Sequence, residues 1–351
     1  MGTYLIAEIG QNHNGSERIA SELIKIAGQD VFHENKELEK ADAVKFQIRD
    51  LDYELNENAG LFPYNKVNSF GDTYGKHREE LELPIEAYKD LSEEARGNNL
   101  DVIVTVCNPT ILENVNKLIK PDMWKVASRD LLNIPLLEQI NEMGCKRVIL
   151  SSGMHSLLDI EKAVNELVLP EMIGILHCIS SYPTQYSDLS LKGMQQIKDN
   201  FKDWLHNIKV GFSDHTAGVL APSIAVALGA EIIEKHITLD HEMKGSDHFG
   251  SMNREGWQRV VRDVRNTENS IKECNRLTTK ELTTEERKTW DKIGRVACYK
   301  YDKNAGDILK QEDIIMLSPP NINGKTGISW EETYLKINKK IKNNVKRGQL
   351  I

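Results

Sequence analysis

Cysteine is scarce and scattered in this sequence. Cys107, Cys145, Cys178, Cys274 and Cys298 are the five among 351 residues, and no two stand in CxxC spacing. An odd, dispersed set excludes a disulfide frame or a thiolate zinc site and reads as reduced thiols of a cytosolic protein. Basic charge is not in excess. Lys and Arg number 45 against 53 Asp and Glu, for a net charge of -8, which argues against a nucleic-acid partner. An anionic substrate must then meet local cations, not a favourable overall field. No apolar run approaches the roughly 18 residues that a membrane span needs. There is no signal-peptide pattern, because the chain opens directly on an apolar, strand-like run from Tyr4. Met1-Gly2 is not a myristoylation signal, since Ile6 stands where Ser or Thr is required. The glycine-lysine signature of a P-loop is missing too. The expectation is a cytoplasmic protein with no membrane and no nucleic-acid contact.

What is present is alternation. Eight short β-like runs occur at 3–9, 43–47, 101–106, 123–127, 147–151, 173–178, 208–212 and 231–236. Amphipathic, helix-like segments separate them, for example 16–27, 85–97, 158–167 and 217–228. Eight such repeats over about 250 residues point to a (β/α)₈ barrel, although a doubly wound sheet would also alternate. The polar residues favour the barrel. Glu8, Lys45, Gln47, Thr105, Lys125, Ser128, Ser151, His177, Ser180, Ser213, His215 and His236 all fall at or just past the ends of runs. Barrel enzymes place their chemistry on that rim. The long connection 51–83 reads as a lid or a substrate-facing loop. Residues 1–276 are thus expected to form the barrel, 277–289 a polar linker, and 290–351 a small β-rich domain. The basic run 336–346 reads as a solvated helix face.

The pair His215 and His236 ends two successive runs. Neighbouring parallel strands lie about 5 Å apart, so both imidazoles can reach one ion. Either could instead be a satisfied polar residue at the rim. As ligands, two nitrogens would leave positions open for water or substrate, which suits a Lewis-acid Mn²⁺ or Mg²⁺ more than structural zinc. Lys45 and Lys125, with the hydroxyls of Thr105, Ser128, Ser151, Ser180 and Ser213, form a candidate phosphate cradle. A lone serine at a strand end is an ordinary turn residue, so the coincidence over several strands carries that reading. Glu8 is either a general base or a buried partner of a lysine such as Lys45.

Several stretches carry a resemblance. They are Ala7-Glu8-Ile9-Gly10-Gln11-Asn12-His13-Asn14-Gly15, Thr73-Tyr74-Gly75-Lys76-His77, Ser151-Ser152-Gly153-Met154, Leu176-His177-Cys178-Ile179-Ser180-Ser181-Tyr182-Pro183-Thr184, Gly211-Phe212-Ser213-Asp214-His215-Thr216, Glu234-Lys235-His236-Ile237-Thr238-Leu239-Asp240 and Gly245-Ser246-Asp247-His248. In this order they resemble the sialic acid (nonulosonic acid) synthase family. The C-terminal part resembles, more weakly, the antifreeze-like (SAF) domain of that family. The resemblance implies condensation of phosphoenolpyruvate with an open-chain N-acetylhexosamine, N-acetylmannosamine or a modified relative. The product would be a nine-carbon 2-keto acid, with release of inorganic phosphate. It implies a divalent metal on His215 and His236, Mn²⁺ in the first place and Mg²⁺ or Co²⁺ as alternatives. It assigns phosphoenolpyruvate to Lys45, Thr105, Lys125, Ser128, Ser151, Ser180 and Ser213, and the sugar to Gln47, Tyr182 and Asp247. Glu8 or Asp130 would move the proton of the attacking water. A domain-swapped homodimer is implied as well. Three positions depart from the family: Arg129 replaces a usual Gly, Val106-Cys107 replaces a Thr-Pro-Phe-like continuation, and Ser318 stands before Pro319 where an arginine contacts the sugar. A related octulosonate-type synthase, acting on another aldose phosphate, is the alternative.

Overall fold

In the computed structural model, which describes residues 2–32, 38–55, 57–64, 67–204, 207–276, 281–322 and 324–351, the expected runs become strands. They are β1 (Tyr4–Gly10), β2 (Ala43–Ile48), β3 (Asp101–Val106), β4 (Met123–Val126), β5 (Arg147–Ser151), β6 (Met172–Cys178), β7 (Asn207–Asp214) and β8 (Ile232–His236). All pair in parallel with their sequence neighbours, and β8 closes onto β1, so the sheet is a closed barrel. This is the (β/α)₈ architecture. The helices follow from amphipathic patterns with proper starts. Ser16 caps Glu17–Ala27, and Ser156 with Asp159 forms a capping box on Leu157–Glu166, each occupying backbone donors that a helix start leaves free.

Side chains in a strand alternate between faces, and this parity builds the barrel interior in layers. Ile6, Ala43, Ile103, Met123, Ile149, Leu176 and Ile232 form a small inner apolar cluster. At the corresponding level of β7 stands Gly211, where a Cβ would lie 2.8 Å from Leu176 and 2.3 Å from the Ile232 carbonyl. No side chain fits there. Two residues further along each strand, on the same face, come Glu8, Lys45, Thr105, Lys125, Ser151, Cys178, Ser213 and Glu234. An apolar floor therefore carries a polar layer towards the C-terminal rim.

The opposite parity holds one buried ion pair. Lys235 and Asp214 are register partners on β8 and β7, and Lys235 Nζ lies 2.5 Å from Asp214 Oδ2 with both side chains fully buried. The ammonium also donates to the Thr216 carbonyl at 2.8 Å. Removing one member would strand a charge in a dry interior. Asp214→Ala is therefore expected to lower stability by about 3–5 kcal/mol, read as a drop in denaturant midpoint at unchanged m-value.

The chain divides into two compact units, Met1–Glu273 and Cys274–Ile351. Within the second, β9 (Val296–Tyr299) pairs antiparallel with β10 (Ile314–Leu317) over a small core of Ala297, Tyr299, Leu309, Ile341 and Ile351. Part of the expected linker is helical, because Thr283 and Glu286 make a capping box for Thr284–Ile293; positions 277–280 lie outside the described residues. The basic run 336–346 is not a helix. It forms turns and isolated bridges, with its lysines exposed. Ser318 donates to the Ile293 carbonyl at 2.9 Å. Among the described residues, no helix is long and apolar enough to cross a membrane.

Candidate active site

The polar layer opens into a cavity of about 720 Å³ at the C-terminal rim of the barrel. Of the residues expected from sequence, Glu8, Lys45, Gln47, Lys125, Ser128, Ser151, Ser180, Tyr182, Ser213, His215, His236 and Asp247 line it. Thr105 and Asp130 are not among the lining side chains. Thr105 is fully buried behind Lys45, whose Nζ reaches its hydroxyl at 3.4 Å. Asp130 accepts from Arg129 Nε at 3.3 Å and from Asn133 at 3.5 Å. The long connection contributes Tyr64, Val67, Asn68, Ser69 and Arg78 to the wall, so it faces the cavity.

Two buried lysines set the electrostatics. Lys45 Nζ is 2.8 Å from Glu8 and 3.8 Å from Glu234. Lys125 Nζ donates to Ser151 Oγ at 2.5 Å. Burial pulls Lys125 below the usual ammonium range, with Glu234 pulling it back. The two carboxylates diverge. Burial pushes Glu8 up to about 7, with Lys45 opposing and Glu234 adding to the rise. Burial also opposes charge on Glu234, but Lys125 and Lys45 outweigh it, and Ser213 Oγ donates to it at 3.0 Å, so Glu234 stays ionised. Two acids pushed apart in this way can divide the tasks of proton carrier and fixed charge.

On the same cavity wall as the lysines, the Ser128 and Ser180 hydroxyls close on Gly153, where only a glycine fits. A Cβ on Gly153 would lie 2.2 Å from Ser180 Oγ and 2.8 Å from Ser128 Oγ. The Gly153 N–H points at Ser128 Oγ, 3.1 Å away. The hydroxyls of Ser128, Ser151 and Ser180, on one cavity wall with the ammonium groups of Lys45 and Lys125, suit a tetrahedral oxyanion. Gly153→Ala is expected to push the Ser128 and Ser180 hydroxyls aside without unfolding the barrel, since serine side chains can rotate away. Inorganic phosphate should then bind about 10–100-fold more weakly by calorimetry.

The imidazoles line the same cavity. The His215 and His236 ring centroids are 5.6 Å apart, and the Tyr182 ring lies tilted by 35° against His215 at 4.1 Å. His215 Nδ1 faces the Ile179 carbonyl at 2.9 Å, which places its proton there and leaves Nε2 with a lone pair. His236 Nδ1 is buried with no hydrogen-bond partner. Burial holds His236 down to about 3, the neutral form.

The NeuB family model matches residues 33–276. The chain belongs to the NeuB family. It is 32% identical to N,N'-diacetyllegionaminic acid synthase of Campylobacter jejuni, over 99% of this chain and 98% of that protein. It is 34% identical to human N-acetylneuraminate-9-phosphate synthase, over 88% of this chain and 81% of that one. The crystal structure of N-acetylneuraminic acid synthetase from Leptospira borgpetersenii, in complex with citrate, superposes with a TM-score of 0.66 at 28% identity, covering 82% of this chain and 90% of that one. The resemblance to sialic acid synthases is borne out, as is the barrel.

Does this NeuB chain offer a fit for a metal ion? Among the described residues no group of three or more His, Cys, Asp or Glu is arranged to hold one. The histidine pair does fit an open, two-nitrogen site. One ring has its tautomer fixed by a carbonyl, and the other keeps an orphaned buried nitrogen in its neutral form. Such an orphan is costly unless something meets it.

Among the lining residues that sequence reasoning missed are Glu234 and Cys178 of the polar layer, and it misplaced His177, which does not line the cavity. Cys178 Sγ lies 3.8 Å from His215 Nδ1 and 3.7 Å from Ser128 Oγ. Strand parity would have found both, since each stands two residues after a floor residue. The same parity turns His177 outward, where its Nε2 meets the Leu189 carbonyl at 2.8 Å. His177 therefore does not belong to the loaded rim.

Proposed function

We propose that this chain condenses phosphoenolpyruvate with an open-chain N-acetylated hexosamine to give a nonulosonic acid and inorganic phosphate. One observation carries the reading: serine hydroxyls, two buried lysines and a histidine pair line a single cavity. Family membership supplies the reaction class, and the relatives are named for legionaminic and neuraminic acids.

Lys45, Lys125 and the serine cradle hold the phosphate and carboxylate of the three-carbon enol and stabilise charge on the departing phosphate. Gln47, Tyr182 and Asp247 place the sugar so that its aldehyde carbon meets C3 of the enol. A new C–C bond forms there, and the positive charge that develops at C2 is quenched by water. Glu8, able to give up its proton near neutral pH, takes the proton of that water. The C2–O bond to phosphate then breaks as the C2 hydroxyl gives up its proton, the two protons of the water ending on the former aldehyde oxygen and on the departing phosphate, which leaves the 2-keto acid. A divalent ion on His215 and His236, Mn²⁺ in the first place, would supply Lewis acidity at the sugar carbonyl oxygen. Asp130, off the cavity wall and held by Arg129, is the weaker candidate for the proton. We also propose a homodimer in the cytoplasm, for which sedimentation of the purified protein is the check.

The test is phosphate release from phosphoenolpyruvate with Mn²⁺ and a panel of N-acetylated hexosamines and their phosphates, with product mass determined. Release with an unphosphorylated hexosamine, and a product three carbons longer, is the expected result. Release only with phosphorylated sugars would shift the substrate class. No release with any sugar would overturn the proposal.

A further inference from the structure

Arg129, the departure from the family noted in the sequence, lines the cavity next to Ser128, and its guanidinium is engaged by carboxylates. Its guanidinium lies 2.5 Å from Glu54 Oε1 and 3.3 Å from Asp130. The same Glu54 oxygen lies 2.5 Å from Arg49. Arg49 is nearly buried, sits 3.4 Å from Glu82, and sends its remaining terminal nitrogen to Gln47 Oε1 at 3.0 Å. Glu54 ends the short helix Leu51–Glu54 that opens the long connection. That helix is tied to the loop after β3, where Asn108 donates to the Tyr53 carbonyl at 2.9 Å and Thr110 to Asp50 at 3.0 Å. A continuous relay thus runs from Arg129 through Glu54 and Arg49 to Gln47, and Arg129, Arg49 and Gln47 all line the cavity.

We infer that Arg49, braced through Glu54 by Arg129, is a positioning residue that fixes the Gln47 side chain as a hydrogen-bond donor towards the sugar. The inference rests on the proposed reading of the cavity. The chemistry fixes the polarity of the amide. A guanidinium has donors only, so the Gln47 atom that meets Arg49 is the oxygen. The amide NH₂ is what remains for a ligand. It donates to a carbonyl or hydroxyl oxygen of the sugar, such as that of an acylated amine, and offers nothing to a protonated free amine. Arg129 strengthens the brace because Glu54 Oε1 then sits between two guanidiniums, and the rigid fork of Arg49 reaches both Glu54 and Gln47 where a single ammonium cannot.

The test separates donor polarity from general damage. Gln47→Glu keeps an acceptor for Arg49 and removes the donors. It should raise the KM for hexosamine about tenfold or more and leave calorimetric phosphoenolpyruvate affinity in place. Arg49→Lys frees the amide and should raise the hexosamine KM in the same way. Arg129→Gly should do so to a smaller extent. A substrate-independent readout is the Gln47 side-chain amide signal in ¹⁵N-labelled protein, ordered in the wild type and motionally averaged in Arg49→Lys. Unchanged hexosamine KM in Gln47→Glu, or equal loss of both substrates in Arg49→Lys, would overturn the inference. So would an amide equally mobile with and without Arg49. A wild type silent with every sugar but with the ordered amide would sink the reading of the cavity and leave the Arg49 contact standing.

Discussion

His236→Ala is expected to abolish phosphate release while leaving the barrel folded. Its Nδ1 is a buried nitrogen without a protein partner, so truncation removes no internal hydrogen bond through that atom. Loss of the proposed direct ligand should exceed the roughly 10–100-fold cost in metal affinity typical of outer-sphere partners. Mn²⁺ binding, followed by water-proton relaxation, should weaken by more than about 100-fold, and turnover should fall with it. His177→Ala is the internal control. That ring stacks on Phe212 and bonds to the Leu189 carbonyl, so its loss should lower the melting temperature and leave Mn²⁺ affinity alone. Wild-type Mn²⁺ affinity in His236→Ala would remove the histidine pair from the site.

The architecture was legible because buried parallel strands read as short apolar runs, and each ends in polar groups that only a mouth can use. Every barrel strand was found, with ends displaced by two residues at most, as in β7, which extends to Asp214. Parity was legible as well but went unread. Counting two residues from each floor side chain yields Glu234 and Cys178 and excludes His177, whereas proximity to a strand end does not separate them. The helix Thr284–Ile293 was signalled by its Thr283 and Glu286 cap, yet its polar composition suggested a linker. The Arg129–Glu54–Arg49 relay had no sequence signal. Its members come from a rim turn and an irregular connection, where no period links residues that lie 75 positions apart in the chain, as Glu54 and Arg129 do (129 − 54).

Glu8→Gln should lower kcat by about 10²–10⁴-fold, the usual cost of losing a general base, and should also change two pH profiles. With Glu8 at about 7 in the fold and an ordinary carboxylate near 4.5 when unfolded, the native chain holds more protons than the unfolded one between those values. Stability contributed by this group therefore falls as pH rises through that window. Turnover runs the other way, because the base works once deprotonated, so activity rises through the same window. In Glu8→Gln both slopes should flatten. Glu234 supplies the sign check. Its negative charge helps to hold the Glu8 proton, so Glu234→Gln should move the acid limb to lower pH without erasing it. An acid limb that stays near 7 in Glu8→Gln would assign the proton to another group. A limb that moves to higher pH in Glu234→Gln would contradict the coupling between the two carboxylates.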